Sequence, residues 1–331
     1  LALLWFPVCL ALLKSLTGLF IAFILVFLIL LRLGSRIRAR AIRFMILVPV
    51  IMIPLFVWLY LSHAVERFYD ADPSVLEHLD SHTVEGNLYL NMPQQGELEN
   101  GNYVWVHICD KELEREWNRV SPMDYRGRTH NGNSLRTTLI RFLTSKGLRK
   151  DAVGFRQLNE EEIRAIEEGT ANHIYMARFR IYPRFYEVIW EIDRYRLTGD
   201  PNGRSVVQRY LYLQAGKEIA RENLWFGVGN GDIKKAFHDY YERVSSPLDE
   251  RSRKMAHNQF LTFLVSFGIP GLIISLLALT APLFLAGRQH SFLAIGFMIL
   301  VLISMISEDT LVTARGASFF AFFYALFQFG P

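Results

Sequence analysis

The sequence predicts a mostly α-helical, polytopic membrane protein with a large, mainly helical domain outside the membrane. Hydrophobic residues make up 51% of the 331 residues, and they are gathered in long uncharged runs of the kind that membrane spans require. Between these runs lies a polar stretch of mixed charge, residues 63–255, which is too long for a structureless connection. The net charge of +4 is too small to indicate a nucleic-acid partner.

The apolar runs predict six segments that cross the membrane wholly or in part. They are residues 1–13, 17–31, 44–61, 269–286, 291–306 and 317–329. The connection 32–43 is rich in arginine and contains no acid. It should be cytoplasmic, because positive charge beside a span resists translocation. Counting spans from this loop predicts N-terminal helices at 1–62, an external domain at 63–255 and C-terminal helices at 256–331.

Leu1 lies inside an apolar run with no initiator methionine and no charged region before it. This start is not typical of a signal peptide. It predicts a C-terminal fragment whose preceding membrane helices are missing.

Amphipathic patterns predict the helices of the external domain. They lie at residues 111–117, 134–146, 159–168, 178–195 and 206–222. Asn159 precedes a run of acidic residues, as at a helix N-terminus. Ser205 with Gln208 three residues later predicts a capping box that opens the last of these helices.

His257 and Asn258 stand at the start of an apolar run, on the predicted external side. Histidine titrates near physiological pH and suits the work of a general base, although a capping or interfacial histidine is the alternative. Arg251, Arg253 and Lys254 come directly before this pair. They are predicted to hold an anionic group beside His257, or else to contact lipid headgroups.

Four further residues are candidates for the same site. Arg209 falls among apolar residues on a predicted helix face, so its partly desolvated guanidinium needs a carboxylate or phosphate partner. Gly229 and Gly231 belong to a glycine-rich loop whose N–H groups could approach a phosphate, but it lacks nucleotide-binding spacing and a flexible turn is the alternative. Glu308 either marks a membrane boundary or faces a cavity. No cluster has metal-site spacing, so no metal is expected.

The order of these motifs resembles the C-terminal signature of the O-antigen ligase/O-antigen polymerase superfamily. The resemblance covers Ser205 with Arg209, then residues 225–232 (WFGVGNGD), 256–261 (AHNQFL) and 268–271 (GIPG). Residues 15–18 are similar to a Ser-Arg-Thr-Gly element of the family, but Leu16 stands where many members have arginine. Any phosphate contact there would come from elsewhere, such as Lys14. The segment 141–151 looks like the insertion of the Bacteroidetes-type branch.

The resemblance implies a GT-C-type glycosyltransferase, multi-pass in the bacterial inner membrane, with its large loop in the periplasm. Such enzymes move a glycan from an undecaprenyl-pyrophosphate carrier to an acceptor hydroxyl, usually on lipid A-core, without a metal or other cofactor. His257 would deprotonate the acceptor and Arg209 would bind the pyrophosphate. The residues expected to bind substrate are Asn258, Arg251, Arg253, Lys254, Gly229, Gly231, Lys14 and Glu308. Membrane lipids are the other expected partners.

Two alternatives stay open at this point. An O-antigen polymerase would use the same donor with a carrier-linked acceptor. A membrane sensor or scaffold with an extracytoplasmic domain belongs to a different class, and no cytoplasmic output domain in this sequence supports it.

Overall fold

The computed structural model describes residues 16–37, 39–177, 182–285, 287 and 291–329. They are mostly helical, as predicted. The helices are α1 (Leu16–Arg36), α2 (Arg40–Tyr69), α3 (Ser74–Glu77), α4 (Asp110–Val120), α5 (Leu135–Ser145), α6 (Ala152–Phe155), α7 (Glu160–Glu167), α8 (Tyr182–Thr198), α9 (Ser205–Glu222), α10 (Ile233–Arg243), α11 (Gln259–Leu285), α12 (Phe292–Ser307) and α13 (Ala314–Phe329). One antiparallel pair, β1 (Leu98–Glu99) with β2 (Asn102–Tyr103), is described.

Contacts divide the chain into two compact units, Leu55–Gly199 and a second unit made of Leu1–Pro54 with Asp200–Pro331. The core of Leu55–Gly199 is built on the apolar faces of α4 and α5, where Trp117 and Phe142 are fully buried. Side-chain caps start α5, α6 and α7 in this unit, whereas α4 begins without one.

Two of those caps are formed by the residues that the sequence indicates. The Ser134 side chain accepts a hydrogen bond from the Thr137 backbone N–H at the start of α5. Asn159 and Glu162 form a complete capping box at the start of α7. Such caps satisfy N–H groups that have no partner within the helix, which explains why the two predicted helix starts are confirmed.

The second unit packs α9 against α10 and α11. The predicted capping box at Ser205 is wrong, since Arg204 occupies the N-cap without a side-chain cap bond and Ser205 is already helical. Apolar periodicity predicts that Val206, Arg209, Tyr210, Leu213, Gly216 and Ala220 share one face of this helix. This predicted face is wrong in part. The residues of α9 that are buried are Val207, Tyr212, Ala215, Gly216, Ile219 and Ala220. Close packing against α11 determines which face of α9 is buried. At Gly216 the two helices are so close that an added Cβ would lie 2.7 Å from the Leu261 side chain.

One described helix, α11, is long and apolar enough to cross a membrane by length and composition. Only 22% of its apolar window is buried within the protein, so most of that surface faces outward. Shorter apolar helices span Ala22–Arg32, Phe292–Ser307 and Ala314–Phe327. The multi-pass arrangement therefore stays a prediction. The Gly-Ile-Pro-Gly sequence at 268–271 predicts a break in this apolar run. The break is confirmed, because Gly268 has φ 66° and ψ −169° inside α11.

Candidate functional site

His257 sits at a backbone bend directly before α11 and has φ 49°. Few residues other than glycine adopt this left-handed conformation, so neighbouring structure must hold it. Ala256 before the bend is 2% exposed and Gln259 after it is 1% exposed, which anchors both ends. The His257 side chain keeps 34% of its surface exposed and lies beside the Tyr212 ring, with centroids 5.8 Å apart.

The polar residues that follow His257 attach α11 to the last turn of α12 and to the turn that follows it. Asn258 Nδ2 donates to the Ile306 carbonyl oxygen at 2.8 Å, and Thr262 Oγ1 donates to Asp309 Oδ1 at 2.6 Å. Gln259 Oε1 accepts from the Leu311 backbone N–H at 2.8 Å. These three bonds hold the turn that carries Glu308 in place beside the His257 bend.

Asn258 has a second structural bond. Its Oδ1 accepts from the backbone N–H of Leu261 at 2.9 Å, so the side chain caps the first turn of α11. Both ends of the amide are therefore engaged by the fold. These bonds hold Asn258 at the start of α11, and its predicted contact with substrate stays a prediction.

Glu308 lies between Arg209 and His257. Its Oε1 is 3.1 Å from Arg209 Nη2, and its Oε2 is 3.8 Å from His257 Nδ1. The second distance is too long for a hydrogen bond, but it is close enough for an ion pair when the imidazole is protonated. The Arg209 and Glu308 side chains are 50% and 49% exposed. The sequence left either a carboxylate or a phosphate as the partner of Arg209, and in the structure the partner is the Glu308 carboxylate. Arg209 lies outside the buried face of α9.

A pocket of about 420 Å³ opens beside His257. It is lined by Lys234, Phe237, His238, Tyr241, Glu250, Arg253, Lys254, Met255, His257 and Asp309. The contribution of α10, Lys234 and His238, was missed by the sequence reasoning. The available signal was two basic residues four positions apart, which share one helix face.

The cations near this pocket differ in their partners. Arg253 pairs with Glu242 and donates from Nε to the Leu248 carbonyl oxygen at 3.2 Å. Arg251 is exposed in a short 3₁₀ helix and does not line the pocket. Within the described residues, the ammonium groups of Lys234 and Lys254 have no ion pair or hydrogen bond. These two lysines are the cations available to an incoming anion.

The glycine-rich loop pairs with the kinked part of α11. The Gly229 N–H donates to the Ser266 carbonyl oxygen at 2.9 Å, and the Ile269 N–H donates to the Leu224 carbonyl oxygen at 2.9 Å. These bonds satisfy backbone groups that the break at Gly268 would otherwise leave unpaired. The N–H of Gly229 is therefore used within the fold, against the prediction that it approaches a phosphate.

Two glycines allow this loop and the kink to touch through their backbones. A Cβ on Gly227 would lie 2.3 Å from the carbonyl carbon of Ser266, and a Cβ on Gly268 would lie 2.2 Å from the carbonyl oxygen of Trp225. Both glycines also have φ 66°. The loop therefore packs closely through Gly227, whereas an added Cβ on Gly229 or Gly231 would meet no atom within 4 Å.

Lys14 lies outside the described residues. Across residues 16–37, 39–177, 182–285, 287 and 291–329, no group of three metal-ligating side chains comes together.

Residues 152–276 match a family model described as O-antigen ligase (Wzy_C). The match includes α9, the glycine-rich loop, α10, His257 and the kink of α11. It confirms the resemblance that the sequence motifs indicate. No curated protein and no solved structure matches the chain significantly.

Proposed function

We propose that this chain, whose residues 152–276 match the O-antigen ligase family model, is a membrane glycosyltransferase that joins a glycan to an acceptor hydroxyl at the His257 site. The donor is an undecaprenyl-pyrophosphate-linked glycan and the acceptor is lipid A-core, on the periplasmic side of the inner membrane. The observation that carries this proposal is a partly exposed histidine beside a carboxylate, on a pocket lined by two unpaired lysines.

His257 is the general base of the proposed reaction. Its ring takes the proton of the acceptor hydroxyl while the acceptor oxygen forms a bond to the anomeric carbon. The bond from that carbon to the pyrophosphate oxygen breaks, and the electron pair leaves with the pyrophosphate. Because pyrophosphate is a stable anion, the leaving group needs no general acid. Positive charge aimed at it stabilises the transition state.

Glu308 and Arg209 support the base in this mechanism. The imidazolium that forms on His257 carries a positive charge, and the Glu308 carboxylate 3.8 Å from Nδ1 stabilises it. Arg209 orients that carboxylate through its contact at 3.1 Å. The role of Arg209 is therefore to position Glu308. In this mechanism Lys234 and Lys254, and not Arg209, make the main contacts with the pyrophosphate.

Lipopolysaccharide gels of a deletion strain test the function itself. Loss of a ligase leaves lipid A-core with no O-antigen attached. Return of the wild-type gene restores the series of gel bands that carry O-antigen. Core carrying a single repeat unit would identify a polymerase within the same superfamily. An unchanged lipopolysaccharide profile would overturn the proposal.

Glu308→Gln keeps the size of the side chain but removes its charge. We expect the rate of glycan transfer to fall by about tenfold, or about 1.4 kcal/mol in the barrier, because the pair with His257 is partly solvated. The matched control is Glu222→Gln, since Glu222 is also a half-exposed carboxylate paired with an arginine and does not line the pocket. Equal rates for the two variants would contradict the role of Glu308.

Lys234→Ala and Lys254→Ala should each weaken donor binding by about fivefold, as expected for the loss of one solvated contact to a phosphate. Lys235→Ala is the control, because Lys235 is an exposed lysine on the same helix that does not line the pocket. The readout is the KM for the lipid-linked donor in a reconstituted transfer assay. A Lys235 variant as impaired as the other two would indicate a general charge effect.

A further inference from the structure

A second pocket, of about 430 Å³, lies within the unit Leu55–Gly199. One wall is a single face of α2, and the other is formed by the 3₁₀ helix His173–Met176 with the start of α8. It is lined by Tyr60, His63, Ala64, Arg67, His173, Ile174, Met176, Ala177, Tyr182 and Pro183. The volume is in the range of small-molecule sites, and no residue is shared with the His257 pocket.

The charge of this pocket comes from Arg67. The guanidinium lies 5.1 Å from the centroid of the Tyr182 ring, and it has no ion pair or hydrogen bond within the described part of the chain. None of the described residues that line the pocket is acidic. A guanidinium has five N–H donors in a fixed fork. Arg67 is exposed at the rim of the pocket, and because none of these donors is used by another described residue, they are available to an anionic ligand.

The two histidines add hydrogen-bonding groups. His173 Nδ1 lies 3.1 Å from Ser145 Oγ, and burial together with the nearby charge of Lys146 lowers the pKa of His173. Its ring is thus neutral at physiological pH and brings no charge to the pocket. His63 lies one turn before Arg67 on α2, and its ring has no hydrogen bond to another described residue.

We infer that the pocket binds a phosphate-bearing ligand, with the phosphate on Arg67 and His63 and the remainder of the ligand against Tyr60 and Tyr182. A phosphate matches the fork of a guanidinium in a bidentate geometry and has a further oxygen for a neighbouring imidazole. The tyrosine rings offer an apolar surface with a polar edge, suited to a sugar or glycerol body.

Two sources can supply this chemistry, namely a phosphorylated sugar and the headgroup of an anionic phospholipid. The apolar run 44–61 of α2 ends where the pocket begins, and tyrosine is enriched at membrane–water interfaces. The probes are therefore glucose 6-phosphate in solution and nanodiscs of phosphatidylglycerol, with phosphatidylcholine nanodiscs as the uncharged reference.

Binding is measured with the purified full chain, and Arg67→Gln should lower the affinity for the phosphate probe at least tenfold. Arg67→Lys should recover part of it, because the charge stays while the fork is lost. The control is Arg119→Gln, which removes an exposed arginine of the same unit that is outside the pocket. Thermal unfolding of each variant checks that the fold is retained.

Saturable binding of glucose 6-phosphate identifies a sugar phosphate, and selective binding of phosphatidylglycerol nanodiscs identifies a lipid headgroup. The inference is overturned if neither probe binds, or if Arg67→Gln and Arg119→Gln bind equally well. His257→Ala should bind the probe as the wild-type chain does. The outcome is thus independent of whether the chain transfers a glycan.

Discussion

His257→Ala should lower the rate of glycan transfer by about 10²–10⁴-fold, which is the usual contribution of a positioned general base. The acceptor hydroxyl would then have no group to take its proton as the bond to the sugar forms. Substrate binding should change little, because the pocket cations Lys234 and Lys254 stay in place. The measurement is transfer from a lipid-linked donor to purified lipid A-core, with membrane insertion and expression of the variant verified.

Two histidine controls make the result specific. His130→Ala removes an exposed histidine of the unit Leu55–Gly199 and should leave transfer unchanged. His238→Ala removes a histidine that lines the pocket with His257, and it should alter the donor KM more than the rate. Wild-type transfer by His257→Ala would eliminate the general-base assignment. A similar rate loss in His238→Ala would indicate that His238, on α10, is the general base.

The elements that the sequence predicted correctly are those whose determinants are local. The helix starts at Ser134 and Asn159 depend on a side chain and a backbone N–H only three residues apart. The break at Gly268 likewise follows from the local composition of residues 268–271. His257 is a candidate from the sequence for the same reason, since a titratable residue at the start of an apolar run is visible there, and its role stays a proposal.

The site around His257 depends on contacts between distant parts of the chain. Arg209 and Glu308 are 99 positions apart, and no local pattern shows that they meet. The face of α9 was misassigned because apolar periodicity leaves the helix rotation uncertain by about one residue, whereas packing around Gly216 fixes it. Lys234 was missed because α10 looks like an ordinary amphipathic helix until its packing places it on the pocket.

Gly268→Ala and Gly227→Ala should each prevent normal folding of the site. An alanine with a positive φ of 66° costs about 1–3 kcal/mol by its backbone conformation alone, and the ψ of −169° at Gly268 lies in a region that is essentially restricted to glycine. Each new Cβ would also lie 2.2–2.3 Å from a backbone atom of the facing segment, and backbone atoms cannot rotate away as side chains do. The backbone cost and the steric overlap together are a large fraction of the free energy of unfolding, which is about 5–15 kcal/mol for a typical domain.

Gly231→Ala is the matched control, because Gly231 is in the same loop, has no positive φ and has no atom within 4 Å of an added Cβ. It should fold like the wild-type chain, as measured by the monodisperse fraction in size-exclusion chromatography and by the unfolding temperature. If the loop served mainly to bind phosphate, all three variants would fold and Gly231→Ala would weaken donor binding. If it serves to join α9 to the kink, only Gly227→Ala and Gly268→Ala lose the fold, and transfer is lost with it.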